Sequence, residues 1–135
     1  MLLARYAWFS SLHCTCVILY YYVVTAAEVS VCPGQQLNLT CLAAPNQTLL
    51  RWSFMLPGRS QPESRYISSR GMVDRVTPRT VGQTEFQFLR TSTSPLMSVI
   101  VITSLTAELT GTRVDCSSGD SVMAMFIINI PEGGN

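Results

Sequence analysis

The chain is patterned for strands. From Gln36 to Leu42 (QLNLTCL), Leu37, Leu39 and Cys41 alternate with Asn38 and Thr40, the period of two expected when one strand face is buried and the other wet. From Leu49 to Met55 (LLRWSFM), Leu50, Trp52 and Phe54 share a parity, as do Thr112, Val114 and Cys116 in TRVDC. The same reasoning predicts strands at Glu28–Cys32, Ser64–Ser69, Glu85–Leu89, Met97–Ile102 and Val122–Ile130. Turn signals separate them at Pro33-Gly34, Pro45-Asn46, Pro57-Gly58 and Gly119-Asp120. Gly71–Thr80 reads as irregular, with a short strand at Met72–Val76, and Ser104–Gly111 reads as a turn. No helical periodicity of useful length interrupts the series. About nine short strands with turns between them predict an all-β sandwich.

The N-terminus has a different texture. Arg5 gives a short positive flank, Ala7 to Val24 is largely apolar, and Thr25-Ala26-Ala27 supplies the small residues signal peptidase requires. This predicts a signal peptide over residues 1–27, cleaved after Ala26 or Ala27. The alternative is a membrane anchor over residues 7–27, because the run is near the lower end of the roughly 17 to 25 residues that span a bilayer. Ser10, Ser11, His13 and Thr15 dilute the run and no basic cluster follows it, which favours cleavage. What remains is one domain over residues 28–131, large enough to bury a core, and a flexible tail at 132–135.

Composition narrows the chemistry. The nine basic residues are all arginine, scattered from Arg5 to Arg113, so there is no basic stripe for nucleic acid. Without Arg5 they balance the eight acids, and the formal charge of the domain is zero. His13, the only histidine, leaves with the leader, which removes a Ser-His-Asp triad, a Cys-His pair and a His-ligated metal. Cys14 and Cys16 would leave with it too. Cys32, Cys41 and Cys116 contain no CxxC pair, so no metal is expected. Glu63, Asp74, Glu85, Glu108 and Asp115 show no signature spacing and read as solvated surface acids. Gly133-Gly134 belongs to the tail, not to a phosphate loop. No catalytic residue and no cofactor are expected.

Cys41 and Cys116 lie about 75 residues apart with Trp52 about 11 residues after the first, the Cys…Trp…Cys spacing of immunoglobulin sandwiches. With the segment ITSLTAELTGTRVDC, the chain resembles a variable-type or intermediate-type immunoglobulin-like domain over nearly all of residues 28–131. The resemblance implies an antiparallel Greek-key sandwich of eight or nine strands, a Cys41–Cys116 disulfide between its sheets, and Trp52 packed in the core against it. On the chain-entropy model such a closure is worth roughly 4 to 5 kcal/mol. Thr110, Thr112 and Val114 stand where the family often has Asp, Gly or Ala, and Tyr, so the tyrosine corner is absent and Gly111 is expected to accommodate the turn. The missing Gly-x-Gly bulge in the last strand also argues against an antibody or T-cell-receptor variable domain. Cys32 is left over, as a partly buried free thiol, an intermolecular disulfide or a pair with a partner's cysteine.

Export gives meaning to two sequons, Asn38-Leu39-Thr40 and Asn46-Gln47-Thr48, whereas Asn129 has no Ser or Thr two residues on. A glycan on Asn38 would shield its sheet and direct recognition to the other. Val122–Ile130 is apolar on both parities, so one set is surplus to the core. Met123, Met125 and Ile127, flanked by Arg51 or Arg113, are the predicted binding face, since the resemblance implies that this sheet meets partners. The alternative is cover by the loop preceding Glu85. The expectation is a secreted, extracellular, non-enzymatic recognition or adhesion module. It would bind a protein ligand or a second copy through one sheet or its end loops. Alternatives are the N-terminal fragment of a longer receptor, or a secreted hydrolase or inhibitor using surface carboxylates.

Overall fold

The structure, a computed structural model, describes the backbone of residues 4–11, 14–21, 26–71 and 75–131, and side chains from residue 27 onward within those ranges. Eleven strands occur among the described residues: β1 (Ala4–Ser11), β2 (Cys14–Tyr21), β3 (Ala26–Ser30), β4 (Leu37–Leu42), β5 (Leu49–Met55), β6 (Glu63–Ser68), β7 (Arg75–Val81), β8 (Thr84–Thr93), β9 (Leu96–Thr103), β10 (Arg113–Ser118) and β11 (Ser121–Asn129). They form two sheets, ordered β1-β2-β3-β11-β10-β5-β6 and β4-β9-β8-β7. Every pairing is antiparallel except that of β3 with β11, which is parallel. The nine strands from β3 onward are the sandwich the alternation predicts.

The core forms where inward parities of the two sheets meet. On β4, Leu37, Leu39 and Cys41 are buried while Asn38, Thr40 and Leu42 are exposed. Leu50, Trp52 and Phe54 on β5 face Phe86 and Phe88 on β8 and Ile100 and Ile102 on β9, all within 1% of complete burial. The Phe54 ring stacks on Phe86 at 5.5 Å between centroids and lies 5.6 Å from Phe88, within the range of favourable aromatic pairs.

Cys41 on β4 is joined to Cys116 on β10, so the disulfide runs from one sheet to the other. Trp52 is the direct cross-strand neighbour of Cys116. Its indole N–H has no route to water and donates to Ser98 Oγ on the opposite sheet at 2.8 Å, while Ser98 donates to the Leu89 carbonyl at 2.6 Å. The buried indole and hydroxyl are thereby satisfied together, as buried polar groups must be.

In place of a tyrosine corner the turn before β10 uses threonines. Thr110 Oγ1 donates to the Ile130 carbonyl and accepts from the Ile130 N–H, at 2.9 and 3.0 Å. Thr112 Oγ1 donates to the Leu109 carbonyl at 2.7 Å, closing the short 3-10 turn Ala107–Leu109. Gly111 takes the turn with φ +94°, a region in which a Cβ is strained, and its N–H reaches the Ile128 carbonyl.

Two sequence expectations change. Gly71–Thr80 is not irregular throughout: Arg75–Val81 is β7, paired with β8 on the edge of the four-stranded sheet. Its alternation is hidden because the register shifts between Val76 and Arg79, around Pro78, and an edge strand tolerates both a bulge and a residue without an N–H. Residues 72–74 of the predicted short strand, and the tail at 132–135, lie outside the described residues. Cys32 is the second change. It is 1% exposed and disulfide-bonded, so the free-thiol reading is set aside.

Arginines close the side of the sandwich where β6 and β7 diverge. Arg79 pairs with Glu63 at 2.8 Å, Arg65 Nε donates to the Thr77 carbonyl, and Arg90 donates to the carbonyls of Ser68 and Gly71. The Arg65 guanidinium also sits 5.8 and 5.7 Å from the Phe54 and Phe88 ring centres, a cation–π placement at the core's edge.

Ser98→Ala removes the acceptor of the Trp52 indole and the donor to Leu89 together, and is expected to lower unfolding free energy by about 2 kcal/mol in urea titration. The Cys41→Ala, Cys116→Ala double variant is expected to lose about 2 to 5 kcal/mol in the same measurement, with the slope against denaturant reporting any expansion of the unfolded chain.

Candidate functional site

The outward face of the seven-stranded sheet is built from the parity of β11, β10, β5 and β6 that the core does not use. Register sets its rows. Glu28, Ile127, Arg113 and Met55 lie side by side across β3, β11, β10 and β5. The next row is Met125, Asp115, Ser53 and Ser64, and the next Val122, Ser117, Arg51 and Tyr66. Leu49 and Ser68 complete the end nearest the loop after β4.

Large apolar side chains are exposed there. Tyr66 is 54% exposed, Leu49 44% and Val122 41%. Leu49 and Tyr66 sit on adjacent strands, and Val122 follows the tight β10–β11 turn, so the three flank Arg51 and Ser117 at one end of the sheet. Each such surface loses its ordered water when another protein covers it.

The predicted patch is only partly brought together. Met125 and Ile127 lie on the outward face in register with Asp115 and Arg113, and both are half-buried. Met123 does not join them. Pairing passes from Cys116 with Ala124 to Ser117 with Val122, so Met123 is the extra residue of a bulge and packs against the core. The bulge also turns Val122 outward, where simple alternation had grouped it with inward Ala124 and Phe126. Leu49 and Tyr66 were missed because each is a single apolar residue at a strand's end or middle, visible as a patch only through cross-strand neighbours.

The acids also sort differently from the sequence reading. Glu63 is engaged with Arg79, at roughly one-third exposure of each side chain. Asp115 is half-buried, and its Oδ1 is sealed from solvent with no hydrogen-bond donor. It is therefore not a solvated surface acid. No group of three or more His, Cys, Asp or Glu side chains among the described residues lies together as a metal site. Among the described residues, no helix is long and apolar enough to cross a membrane.

Asn38 lies away from this face, whereas Asn46 stands at its Leu49 end, in the loop beside the β10–β11 turn. Asn38 points outward from β4 in the other sheet, its Oδ1 accepting from Gln36 at 3.0 Å. Asn46 is exposed in the loop between β4 and β5 with φ 68°, a conformation asparagine tolerates. That loop is held beside the β10–β11 turn, with the Ala44 N–H donating to Ser118 Oγ at 3.2 Å.

A solved structure from a study of the multimeric cell-adhesive interactions of VGSC beta subunits, by structure-based photo-crosslinking, is similar to this chain. The likeness covers 80% of this chain and 93% of that one, with a TM-score of 0.56 and 15% identity. No family model matches the chain, and no curated protein does. With the inter-sheet disulfide, the buried Trp52 across from Cys116 and the two-sheet order, the likeness makes the fold an immunoglobulin-like β-sandwich.

Proposed function

We propose that this chain is an extracellular recognition or adhesion module, without enzymatic activity, that binds another protein through the outward face of its seven-stranded sheet. The observation carrying the proposal is the convergence of exposed Leu49, Tyr66 and Val122 around Arg51 on that face. Apolar and aromatic side chains beside an arginine are the composition enriched at the centres of protein interfaces. Met125, Ile127 and Arg113 extend the face, whereas Met123 supports it from within. The adhesive role of the VGSC beta subunits that share the fold is consistent with such a module.

Glycosylation at Asn38 and Asn46 fits the same reading. A glycan on Asn38 would cover the four-stranded sheet, and one on Asn46 would stand at the end-loop rim of the face, leaving the rows through Asp115 and Arg113 bare. Export by a leader over residues 1–27 supplies both the glycans and the oxidising compartment that the Cys41–Cys116 disulfide requires.

A second reading concerns the leader. β1 and β2 form an eight-pair hairpin that continues the sheet beyond β3 through Ile18 and Val29. This favours a domain that keeps residues 4–21 as its outermost strands.

Tyr66→Glu with Val122→Glu is expected to weaken association, with a partner or with itself, by about tenfold or more, because a hot-spot truncation costs about 2 kcal/mol or more. The melting temperature should stay within a few degrees, since both side chains point to water. Unchanged association would reject the face. In a second measurement, the secreted protein is expected to begin at Ala27 or Glu28 and to lose mass on deglycosylation. A product beginning near Met1 would favour the retained hairpin.

A further inference from the structure

This inference rests on the glycan at Asn38 proposed above and names where that glycan lies. An antiparallel sheet with one face open to water commonly alternates apolar-in with polar-out. On β9 it does not: Met97, Val99 and Val101 point outward and are half-buried, while Leu96, Ser98, Ile100 and Ile102 fill the core side. Register ties this surplus to the sequon. Asn38 pairs with Val101, and Val101 with Gln87; Thr40, the other end of the sequon, pairs with Val99, then Leu89, then Arg75. Both rows run into a groove at the far edge of the sheet, where the register shift of β7 opens a space lined by Arg75, Pro78, Gln87 and Leu89. The Gln87 side chain is held there by donating to Glu85 Oε1 at 2.7 Å. At the start of the first row Gln36 Nε2 donates to Asn38 Oδ1 at 3.0 Å, which leaves Nδ2, the atom that carries the sugar, on the side of the amide away from Gln36.

We propose that the Asn38 glycan packs along these rows rather than standing off in water, with Val99, Val101 and Leu89 as the floor for its inner sugars and the β7–β8 groove as the seat of an outer one. The chemistry fits both parts. A pyranose ring has an apolar face of C–H bonds and a rim of hydroxyls, so it packs best on an aliphatic floor with polar groups at the edge. The valines supply the floor, and Arg75, Glu85 and Gln87 supply donors and acceptors for the hydroxyls. From β4 to β7 is three strand spacings, about 14 Å, a span that the N-acetylglucosamine pair and first mannose of an N-linked glycan cover. The tether also selects the occupant. A sugar bonded to Asn38 is held beside Val101 at a high effective concentration, an advantage that no free protein or ligand shares. Covering the valines takes their apolar surface out of water, a gain available only to the folded sheet.

The test uses the secreted full chain carrying Thr48→Ala, which removes the Asn46 sequon and leaves Asn38 as the acceptor. Mass before and after deglycosylation reads occupancy. NMR with labelled sugars and valine methyls reads position: nuclear Overhauser contacts from sugar protons to the Val99 and Val101 methyls are expected, with the inner sugars as rigid as the sheet. Trimming to the first N-acetylglucosamine is expected to lower the melting temperature by about 4 °C or more. In Val99→Thr with Val101→Thr, which keeps the β-branched shape, the same trimming should cost less than about half as much, because the sugar and the valines act on each other. An occupied glycan that makes no contact with the valines, or an equal trimming effect in the threonine variant, would overturn the packing. The recognition face, judged by Tyr66→Glu with Val122→Glu, would then still stand. Asn38 without sugar would overturn the packing together with the shielding of this sheet. Weaker association with another protein in the threonine variant would give these rows to that partner and overturn the packing too.

Discussion

Two sheets with apolar inner faces must be held at one separation and one register, and in this chain a single buried locus does both. Cys41 and Cys116 link β4 to β10, Trp52 fills the position across from Cys116, and its indole reaches Ser98 on the opposite sheet. Apolar packing alone is non-directional and would tolerate sliding. The covalent link fixes which strands face each other, and the indole–hydroxyl–carbonyl chain fixes how far each is advanced. The Phe54, Phe86 and Phe88 cluster then packs into a space already defined.

The two sheets solve their edge problem by different means. Where β6 and β7 part, an open side would expose the core, and Arg65, Arg79 and Arg90 bridge it with their long stems and forked heads. Each surface pair is worth only about 0 to 1 kcal/mol. Their value is coverage, since the aliphatic stems seal apolar surface and the charged ends bind backbone carbonyls that no strand reaches. A lysine could not make the same set of directed contacts.

The fold was legible wherever a strand alternates cleanly and has one buried face. Leu37, Leu39 and Cys41 fall inward as the pattern predicts, and so do Leu50, Trp52 and Phe54. Legibility failed where one residue breaks the count. Pro78 sits in the register shift of β7 and hid an entire strand, and the Met123 bulge reverses the parity of everything before it on β11. Asp115 could not be distinguished from other acids by sequence, because its isolation is created by neighbours on β5 and β11 that lie far off in the chain. The proposed face was half legible for the same reason: Met125 and Ile127 announce themselves along one strand, but Tyr66 and Leu49 become neighbours only once β5 and β6 pair.

The parallel pairing of β3 with β11 has a mechanical consequence. Ala26 at the start of β3 and Asn129 at the end of β11 lie at opposite ends of that pair. A pull between them would load the interstrand hydrogen bonds together in shear, whereas an antiparallel terminal pair would unzip one bond at a time. The Thr110 clasp on Ile130 stands in the line of the same load. A domain pulled from Ala26 and Asn129 would therefore resist stretching most strongly along β3 and β11.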